Sequence, residues 1–244
     1  MKIPRIHVPA PLAEDAEIEL PPAAVRHVLQ VLRLRTGARL RVFDGAGREH
    51  EAELIAAARG TARVRVGAPV APRPESPLAL TLIQGVCRGE RMDLVVQKAV
   101  ELGAARILPV LTARSVPRLD GARAARRHAH WQAVAAAAAE QCGRAVVPEV
   151  APPSPLREAL AGATLPAVRY LLDPAAGAGP RALPPLGAAA ALLVGPEGGL
   201  TDGERAAAEA AGFRGLRLGP RILRTETAGL AALAVLQALH GDLG

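Results

Sequence analysis

The stretch from Leu218 to Ala228 reads LGPRILRTETA and carries more structural information than any other part of the chain. It follows a short predicted strand, Leu216 to Leu218, and it opens an apolar helix predicted from Thr225 to Leu239. Gly219 and Pro220 bend the chain after the strand, and Thr225 can cap the helix. The sequence therefore predicts a strand, a tight loop and a helix in succession.

Three charged side chains stand in this loop, in a stretch otherwise bounded by apolar residues: Arg221, Arg224 and Glu226. One interpretation is a local ion pair between Arg224 and Glu226 beside a plain helix cap. The other is a binding loop whose charged groups face a ligand. A second loop of the same kind favours the binding loop.

This second loop is Gly195-Pro196-Glu197-Gly198-Gly199. It lies between a buried predicted strand, Ala190 to Val194, and a helix opened by the capping-box pair Thr201 and Glu204. Glycines let a ligand approach the backbone closely, and loops at the carboxyl ends of strands are the usual ligand sites of α/β sheets. The spacing is neither G-x-G-x-x-G nor a P-loop, which disfavours a nucleotide-phosphate enzyme. We expect the two loops to follow neighbouring strands and to meet at one sheet edge.

The first 72 residues have a different pattern. Residues 39–43 and 61–66 alternate apolar and polar side chains, which predicts half-buried strands. Asp44-Gly45 predicts a hairpin turn, and the apolar spacing between Val25 and Leu32 predicts one short helix. The proline-rich stretch 68–77 is predicted to be a linker that cannot continue a sheet. We therefore predict a small β-barrel domain over residues 1–72.

Residues 73–244 alternate strands and helices, which predicts an α/β domain with a mostly parallel sheet. The predicted strands are 78–83, 107–110, 168–172, 190–194 and 216–218. The predicted helices include one that ends at Gly103, a long one with Trp131 and Cys142 on its apolar stripe, and one capped by Ser154 with Pro155 at its first position.

Composition narrows the possible partners. The net charge of the 244 residues is +7; residues 1–150 carry 22 basic and 15 acidic groups, and residues 151–244 carry eight of each. A polyanion partner for the first 150 residues and an ordinary charged surface explain this equally well. The chain has no apolar run of about 18–20 residues, no apolar run at its start, and only two isolated cysteines, Cys87 and Cys142. We expect a cytoplasmic protein with reduced thiols, no membrane span and no metal.

The two loops together closely resemble the bacterial RsmE family of SPOUT-class methyltransferases, which methylates N3 of a uridine, position 1498, in 16S ribosomal RNA. The resemblance extends over nearly the whole chain. It includes Ile3-Pro4-Arg5, His27 with Val31-Leu32-Arg33, Phe43-Asp44-Gly45, residues 88–93, residues 97–103, Arg114-Ser115, Trp131-Gln132 and residues 140–144. Two positions depart from the family pattern. Ile6 replaces a common aromatic residue, and Arg88 stands where lysine is frequent, which keeps the charge but not the shape.

The resemblance implies a SPOUT α/β trefoil-knot methyltransferase domain over 73–244, a PUA-like RNA-binding β-barrel over 1–72, and a homodimer joined through the final helix. It implies S-adenosylmethionine as cofactor and 16S ribosomal RNA in the 30S ribosomal subunit as partner. The implied cofactor residues are Leu171, Leu172, Val194, Gly195, Pro196, Glu197, Gly199, Leu218, Gly219, Pro220, Ile222, Leu223, Thr227 and Ala228.

Uridine N3 must lose a proton to accept a methyl group, and negative charge then spreads to the flanking carbonyl oxygens. Arg221 and Arg224 are candidate catalytic donors to those oxygens. Glu226 or Glu197 is either the base or the group that orients an arginine. We predict that an RNA surface includes Arg5, Arg26, Arg33, Arg88 and Arg91. The alternatives are a methyltransferase of this fold acting on transfer RNA and a non-catalytic RNA-binding assembly factor.

Overall fold

The computed structural model describes residues 3–115, 119–162 and 164–244, so residues 1 and 2 of the predicted first domain lie outside it. The chain forms two compact units, Met1–Glu75 with Ala136–Val147 and Ser76–Ala135 with Pro148–Gly244. The proline-rich stretch predicts a division after residue 72. Contacts divide the chain after Glu75 and add a later segment to the first unit, which short-range sequence signals do not reveal.

The elements of the first unit are β1 (Arg5–His7), β2 (Glu17–Glu19), α1 (Pro22–Arg26) continued by a π-helical turn (His27–Val31), β3 (Arg39–Phe43), β4 (Glu49–Ala58) and β5 (Thr61–Val70). They are followed by β6 (Ala79–Gly85), α2 (Arg91–Glu101), β7 (Ala104–Leu111), α3 (Gly121–Cys142), β8 (Glu149–Val150), β9 (Ser154–Pro155), α4 (Leu156–Gly162), β10 (Val168–Leu172), a 3-10 turn (Pro180–Ala182), β11 (Ala189–Val194), α5 (Asp202–Ala210), β12 (Arg214–Leu216) and α6 (Thr225–His240).

The first unit is a five-stranded mixed sheet in the order β1-β3-β4-β5-β2. The alternation that predicts strands at 39–43 and 61–66 is confirmed, because Leu40, Val42, Val64 and Val66 are buried in one core. Helix α1 and the π-helical turn that continues it close that core with Ala24, Val25 and Val28.

The prediction that no strand enters the proline-rich stretch is wrong at its start. Strand β5 extends to Val70, and Pro69 pairs with His50 of β4. On its other side β5 pairs with β2 only over Arg63 to Arg65. Proline has no backbone N–H to donate. Pro69 is tolerated because it lies where β5 pairs with β4 alone.

Arg5 joins the segment Ala136–Val147 to the sheet of the first unit. Its side chain is 11% exposed and pairs with Glu49 at 2.8 Å. Its other N–H groups donate to the carbonyl oxygens of Ala139, Glu140 and Arg144. The guanidinium group also lies 4.5 Å from the centre of the Phe43 ring. All five N–H donors of Arg5 are thus used within the unit, next to the carboxyl end of helix α3, where a cation is favourable.

The second unit is built on a sheet in the order β12-β10-β11-β6-β7-β8, and its pairs are all parallel. The predicted mostly parallel sheet is confirmed. Its central strands β6 and β11 are apolar on both faces, as expected of strands covered by helices on each side. Because all strands run the same way, Gly85, Leu172, Val194 and Leu216 end at the same edge of the sheet.

Two local predictions are corrected in this unit. Ser154 and Pro155 pair with β7 as a short strand, and helix α4 begins only at Leu156. The last strand ends at Leu216 rather than Leu218, which frees Arg217 and Leu218 for the loop that follows. Among the described residues, no helix has the length and apolar character to cross a membrane.

Helix α5 begins with the predicted capping box. Thr201 accepts a hydrogen bond from the Glu204 amide, and the Glu204 carboxylate accepts one from the Thr201 amide at 2.8 Å. Burial raises the pKa of Glu204. Hydrogen bonds from Thr201 and from the Ala113 amide, with the charge of Arg114, more than offset this and lower the pKa below its ordinary value.

Replacing Glu204 with glutamine should lower the free energy of unfolding by about 1 kcal/mol at neutral pH. A carboxylate with a lowered pKa stabilises the fold above its unfolded value of 4.5, and this contribution is lost as the pH falls below that value through the folded pKa. Urea unfolding between neutral pH and pH 4 measures the effect, and the variant should show a weaker pH dependence. Glu209→Gln, at the exposed far end of the same helix, is the control. An equal loss in both variants contradicts the capping role.

Candidate active site

A cavity of about 480 Å³ opens at the carboxyl edge of the parallel sheet in the second unit. Its walls come from the ends of β10 and β11, from the loops after β11 and β12, and from the first turns of α2 and α6. The volume is in the range of sites that enclose a cofactor-sized molecule.

The cavity brings together most of the residues predicted to hold a cofactor. Those that line it are Leu171, Leu172, Val194, Gly195, Pro196, Glu197, Gly199, Leu218, Gly219, Ile222, Leu223 and Ala228. Pro220 and Thr227 belong to the same loop and helix but are not in the lining. The three predicted catalytic residues also line the cavity: Arg221, Arg224 and Glu226.

The two predicted loops do not follow neighbouring strands. Strand β10 lies between β11 and β12, so the end of β10, at Leu171 and Leu172, stands between the loops. Chain order gave no sign of this arrangement, because β10 precedes both strands in sequence. The site is consequently formed by three adjacent strand ends, and it includes Leu171 and Leu172, which the family resemblance implies as cofactor residues.

Thr225 links the two loops. Its hydroxyl donates to the carbonyl oxygen of Gly195 at 2.6 Å and accepts from the side-chain amide of Gln84 at 2.9 Å. The predicted cap at Thr225 is therefore wrong. Arg224 holds the N-cap position in an extended conformation, without a side-chain cap bond. The hydroxyl is used for a tertiary contact, which competes with local capping for the same oxygen.

Gln84 is fully buried at the end of β6, in an otherwise apolar strand. Its side-chain amide nitrogen also donates to the Gly85 carbonyl oxygen at 3.1 Å. The neighbouring Cys87 thiol donates to the same oxygen. Burial, and then the charge of Glu197, raise the pKa of Cys87 to about 12, so this thiol stays protonated. The predicted site residues do not include Gln84. It directly follows the predicted strand 78–83, and a polar side chain that continues a largely apolar run is the sequence signal that points to it.

Thr225→Val should lower the free energy of unfolding by about 1–3 kcal/mol, because it leaves the buried Gln84 amide without its partner and removes the bond to Gly195. Valine matches threonine in shape, so the change removes little packing. Thermal or urea unfolding measures the loss. Thr225→Ser keeps the hydroxyl and should retain most of the stability, and Thr227→Val, exposed on the same helix, is the matched control. Equal stability of Thr225→Val and the unchanged chain contradicts the assignment.

Gly85 allows the loop after β11 to approach strand β6. A Cβ atom on Gly85 would stand 2.5 Å from the Pro196 nitrogen and 2.9 Å from the Gly195 carbonyl carbon. Both contacts are with backbone, which cannot move aside as a flexible side chain can. Glycine at this position is therefore required by the path of Gly195 to Gly199.

Arg91 bridges two of the three acidic residues that line the cavity. Its guanidinium lies 3.0 Å from Glu197 and 3.7 Å from Glu226. The Arg88 amide donates to the same Glu197 oxygen. Burial raises the pKa of Glu197, but these hydrogen bonds and the charge of Arg91 outweigh burial and lower it. Glu197 is therefore an ionised partner of Arg91 near neutral pH and a weaker base than a carboxylate without such partners.

The other side of the cavity holds a second ion pair, between Arg205 of α5 and Asp173 after β10. Arg205 is not among the predicted site residues. Arg114 supports the loop from outside the cavity lining and donates to the Gly198 carbonyl oxygen at 2.9 Å. Long-range pairs of this kind leave no local pattern, so nothing in the sequence distinguishes Arg205, and only the family resemblance marks Arg114.

Two features of the cavity indicate that it receives a ligand. The side chain of Ile222 is 86% exposed at its edge, an unfavourable state for a large apolar group unless something covers it. Glu226 has one buried carboxylate oxygen, Oε2, that has no hydrogen-bond partner among the residues the structure describes. A buried acceptor without a donor costs about 1–3 kcal/mol, which a bound donor can recover.

The predicted RNA-contact residues fall into three groups. Arg26, Arg33 and Arg88 are exposed. Arg91 lines the cavity, and Arg5 has its five N–H groups engaged within the first unit. Across the described part of the chain, no group of three or more metal-ligating side chains is found.

Two protein families match separate parts of the chain. A family described as the RNA methyltransferase domain matches residues 74–237, and one described as the RNA methyltransferase PUA domain matches residues 20–67. The chain is 36% identical to ribosomal RNA small subunit methyltransferase E of Synechocystis over 231 residues, covering 92% of this chain and 74% of that protein.

Two solved structures are similar over the full length of both chains. A Neisseria gonorrhoeae ribosomal RNA small subunit methyltransferase E, solved bound to S-adenosylmethionine, has 39% identity and a TM-score of 0.91, with 100% of each chain covered. A Legionella pneumophila protein, solved in complex with the bound cofactor SAM, has 37% identity and a TM-score of 0.95, again with 100% coverage.

Proposed function

The chain belongs to the ribosomal RNA small subunit methyltransferase E family, with a PUA-like unit and a SPOUT-class methyltransferase unit, and from this premise we propose that it methylates N3 of a uridine in 16S ribosomal RNA. The observation that supports the site of this reaction is the single cavity formed by the two predicted loops and the end of β10.

The lining of the cavity fits S-adenosylmethionine. Leu218, Ile222 and Leu223 offer apolar walls for a flat purine, and Ile222 gains the cover that it lacks in the free chain. Gly199 has open space where its Cβ would stand, which leaves room for a ligand beside the backbone. The cofactor, when bound, supplies an activated methyl group. The remaining chemistry is that of proton removal and charge stabilisation on the uracil ring.

The charged residues of the cavity divide this work. Arg221 and Arg224 are exposed at the cavity and make no ion pair among the residues described, so their guanidinium groups are available to a uracil carbonyl oxygen. Arginines aimed at developing negative charge lower the barrier most where water is excluded. Glu226 offers its unpartnered Oε2 as acceptor for the N3 proton, while Arg91 holds its other oxygen.

The proposal also covers the RNA surface, the knot, the oligomeric state and the location of the protein. We include Arg26, Arg33, Arg88 and Arg91 in the RNA surface, but not Arg5, because its donors are used internally. The family relationship supports a trefoil knot in the second unit, a homodimer and a cytoplasmic location. Helix α6 supports the dimer, since Leu239 at its end is an exposed apolar side chain. Light scattering of the purified chain tests the dimer by its mass.

The deciding experiment is incubation of the protein with methyl-labelled S-adenosylmethionine and, separately, with 16S ribosomal RNA, 30S subunits and transfer RNA. Mass mapping of the labelled nucleotide then identifies the base and the atom. A 3-methyluridine in 16S RNA or in the 30S subunit is the expected product. Label in transfer RNA alone, or donor binding without any transfer, overturns the proposal in favour of a different substrate or a non-catalytic assembly factor.

A further inference from the structure

The first half of helix α3 carries a line of exposed basic side chains. Arg123, Arg126, Arg127 and His130 are all exposed. They are spaced three, four and seven residues from the first of them, which puts them within about 100° of one another around the helix. We name these four residues the α3 basic stripe. The stripe lies wholly within the second unit.

The charge of the stripe is not balanced nearby. In the ranges 3–115, 119–162 and 164–244, none of the three arginines makes an ion pair. Asp120 precedes the helix, and no acidic residue stands between Gly121 and Ala139. Asp93 of α2 contacts this helix, but its carboxylate is already bound by His130 and Trp131.

The position of these arginines opposes the stability of their own helix. The first turn contains no acid, and the positive end of the helix dipole meets like charges. Arginines three and four residues apart also repel each other. Electrostatics within the helix do not favour this clustering of arginines on an exposed face, whereas a negatively charged partner would neutralise it.

One residue of the stripe contacts helix α2, whose first residue lines the active-site cavity. His130 lies 2.7 Å from Asp93 of α2, and Asp93 is two residues from Arg91, which lines the cavity. From His130 the stripe leads back to Arg123 over about 10 Å at the rise of an α-helix. The stripe thus lies on a helix that contacts α2, whose first residue lines the cavity, and its row of basic side chains suits an extended chain of phosphates.

We propose that the α3 basic stripe binds the phosphate backbone of the RNA that enters the cavity, so that the methyltransferase unit itself holds substrate outside the PUA-like unit. This rests on the proposed RNA substrate. Arginine contacts to phosphate position the strand without reading its sequence. The stripe is consequently a determinant of RNA affinity and its salt dependence, and it does not touch the reacting base.

The test compares two triple variants with the same net charge. R123Q/R126Q/R127Q removes the arginines of the stripe, and R157Q/R181Q/R214Q removes three exposed arginines elsewhere in the same unit. Affinity for a 16S ribosomal RNA transcript is measured by filter binding over a range of salt concentrations. The stripe variant should bind roughly 10- to 100-fold more weakly at about 0.15 M salt, and its slope of log affinity against log salt should fall by about 2. The control variant should stay close to the unchanged chain.

Two further measurements separate the possible results. R123K/R126K/R127K keeps the charge and should retain most of the affinity, which a role in folding or shape alone does not predict. Calorimetric binding of S-adenosylmethionine should be the same in all variants, and methylation should lose apparent affinity for RNA with kcat retained. Equal RNA affinity and salt slope in the stripe and control variants overturns the inference and favours an acidic protein partner. A chain that binds RNA through the stripe but methylates no RNA contradicts the proposed function and leaves the inference standing.

Discussion

Arg224→Ala should lower kcat for methylation by about 100- to 1,000-fold while binding of S-adenosylmethionine changes little. Arg224 lines the cavity immediately before helix α6, and its extended backbone keeps it out of the helix. Its guanidinium makes no ion pair among the described residues, so no other contact competes for it. Loss of one positioned donor to a developing oxyanion typically has an effect of this size.

Single-turnover methylation of 16S RNA at saturating donor measures the change, with calorimetry for donor affinity and thermal unfolding for the fold. Arg217→Gln is the matched control, since Arg217 is also exposed and belongs to the same loop after β12 without lining the cavity. Arg224→Lys should recover only part of the rate, because an ammonium lacks the planar fork of donors. An unchanged rate in a folded, donor-binding Arg224→Ala protein removes Arg224 from the mechanism.

Gly85→Ala should weaken S-adenosylmethionine binding at least about tenfold and lower the free energy of unfolding by about 1–3 kcal/mol. The added methyl group would meet the Pro196 nitrogen at 2.5 Å and the Pro196 Cδ at 2.8 Å. Strand β6 is fixed on both sides by β11 and β7, so the loop must yield. Displacing Gly195 also strains its bond with Thr225, which spreads the damage to the other loop.

Calorimetry of donor binding and thermal unfolding check this together. Gly203→Ala is the control, because Gly203 lies inside helix α5 with open space where its Cβ would stand. That change should raise stability by up to about 1 kcal/mol through helix propensity. If Gly85→Ala bound the donor as tightly as the unchanged chain, the close approach of loop and strand would not be what shapes the cavity.

The features that the sequence predicts correctly depend on residues that are close together in the chain. The capping box at Thr201 and Glu204, the buried strands β10 and β11 and the loop from Leu218 to Ala228 each depend on residues within a few positions of one another. Such patterns record backbone preferences and burial, which act over a single element. They were sufficient to predict the parallel sheet and the position of the candidate site at its edge.

The features that the sequence does not predict are side-chain contacts between residues that are far apart in the chain. Thr225 has the pattern of a cap, yet its oxygen bonds to Gly195 and Gln84. Arg91 is one basic residue among many in the sequence, and only the structure reveals its bridge between Glu197 and Glu226. Strand order is another long-range property, so β10 between β11 and β12 was equally hidden.

The single hydroxyl of Thr225 also bears on the thermodynamics of ligand binding. It makes the loop at Gly195 and the start of helix α6 one body, so both are ordered when the chain folds. The conformational entropy of these segments is therefore lost when the chain folds. Ligand binding then causes no second loss of this entropy. Removing the hydroxyl should move that entropy loss into the binding step, giving a more negative binding entropy even where the contacts to the ligand are unchanged.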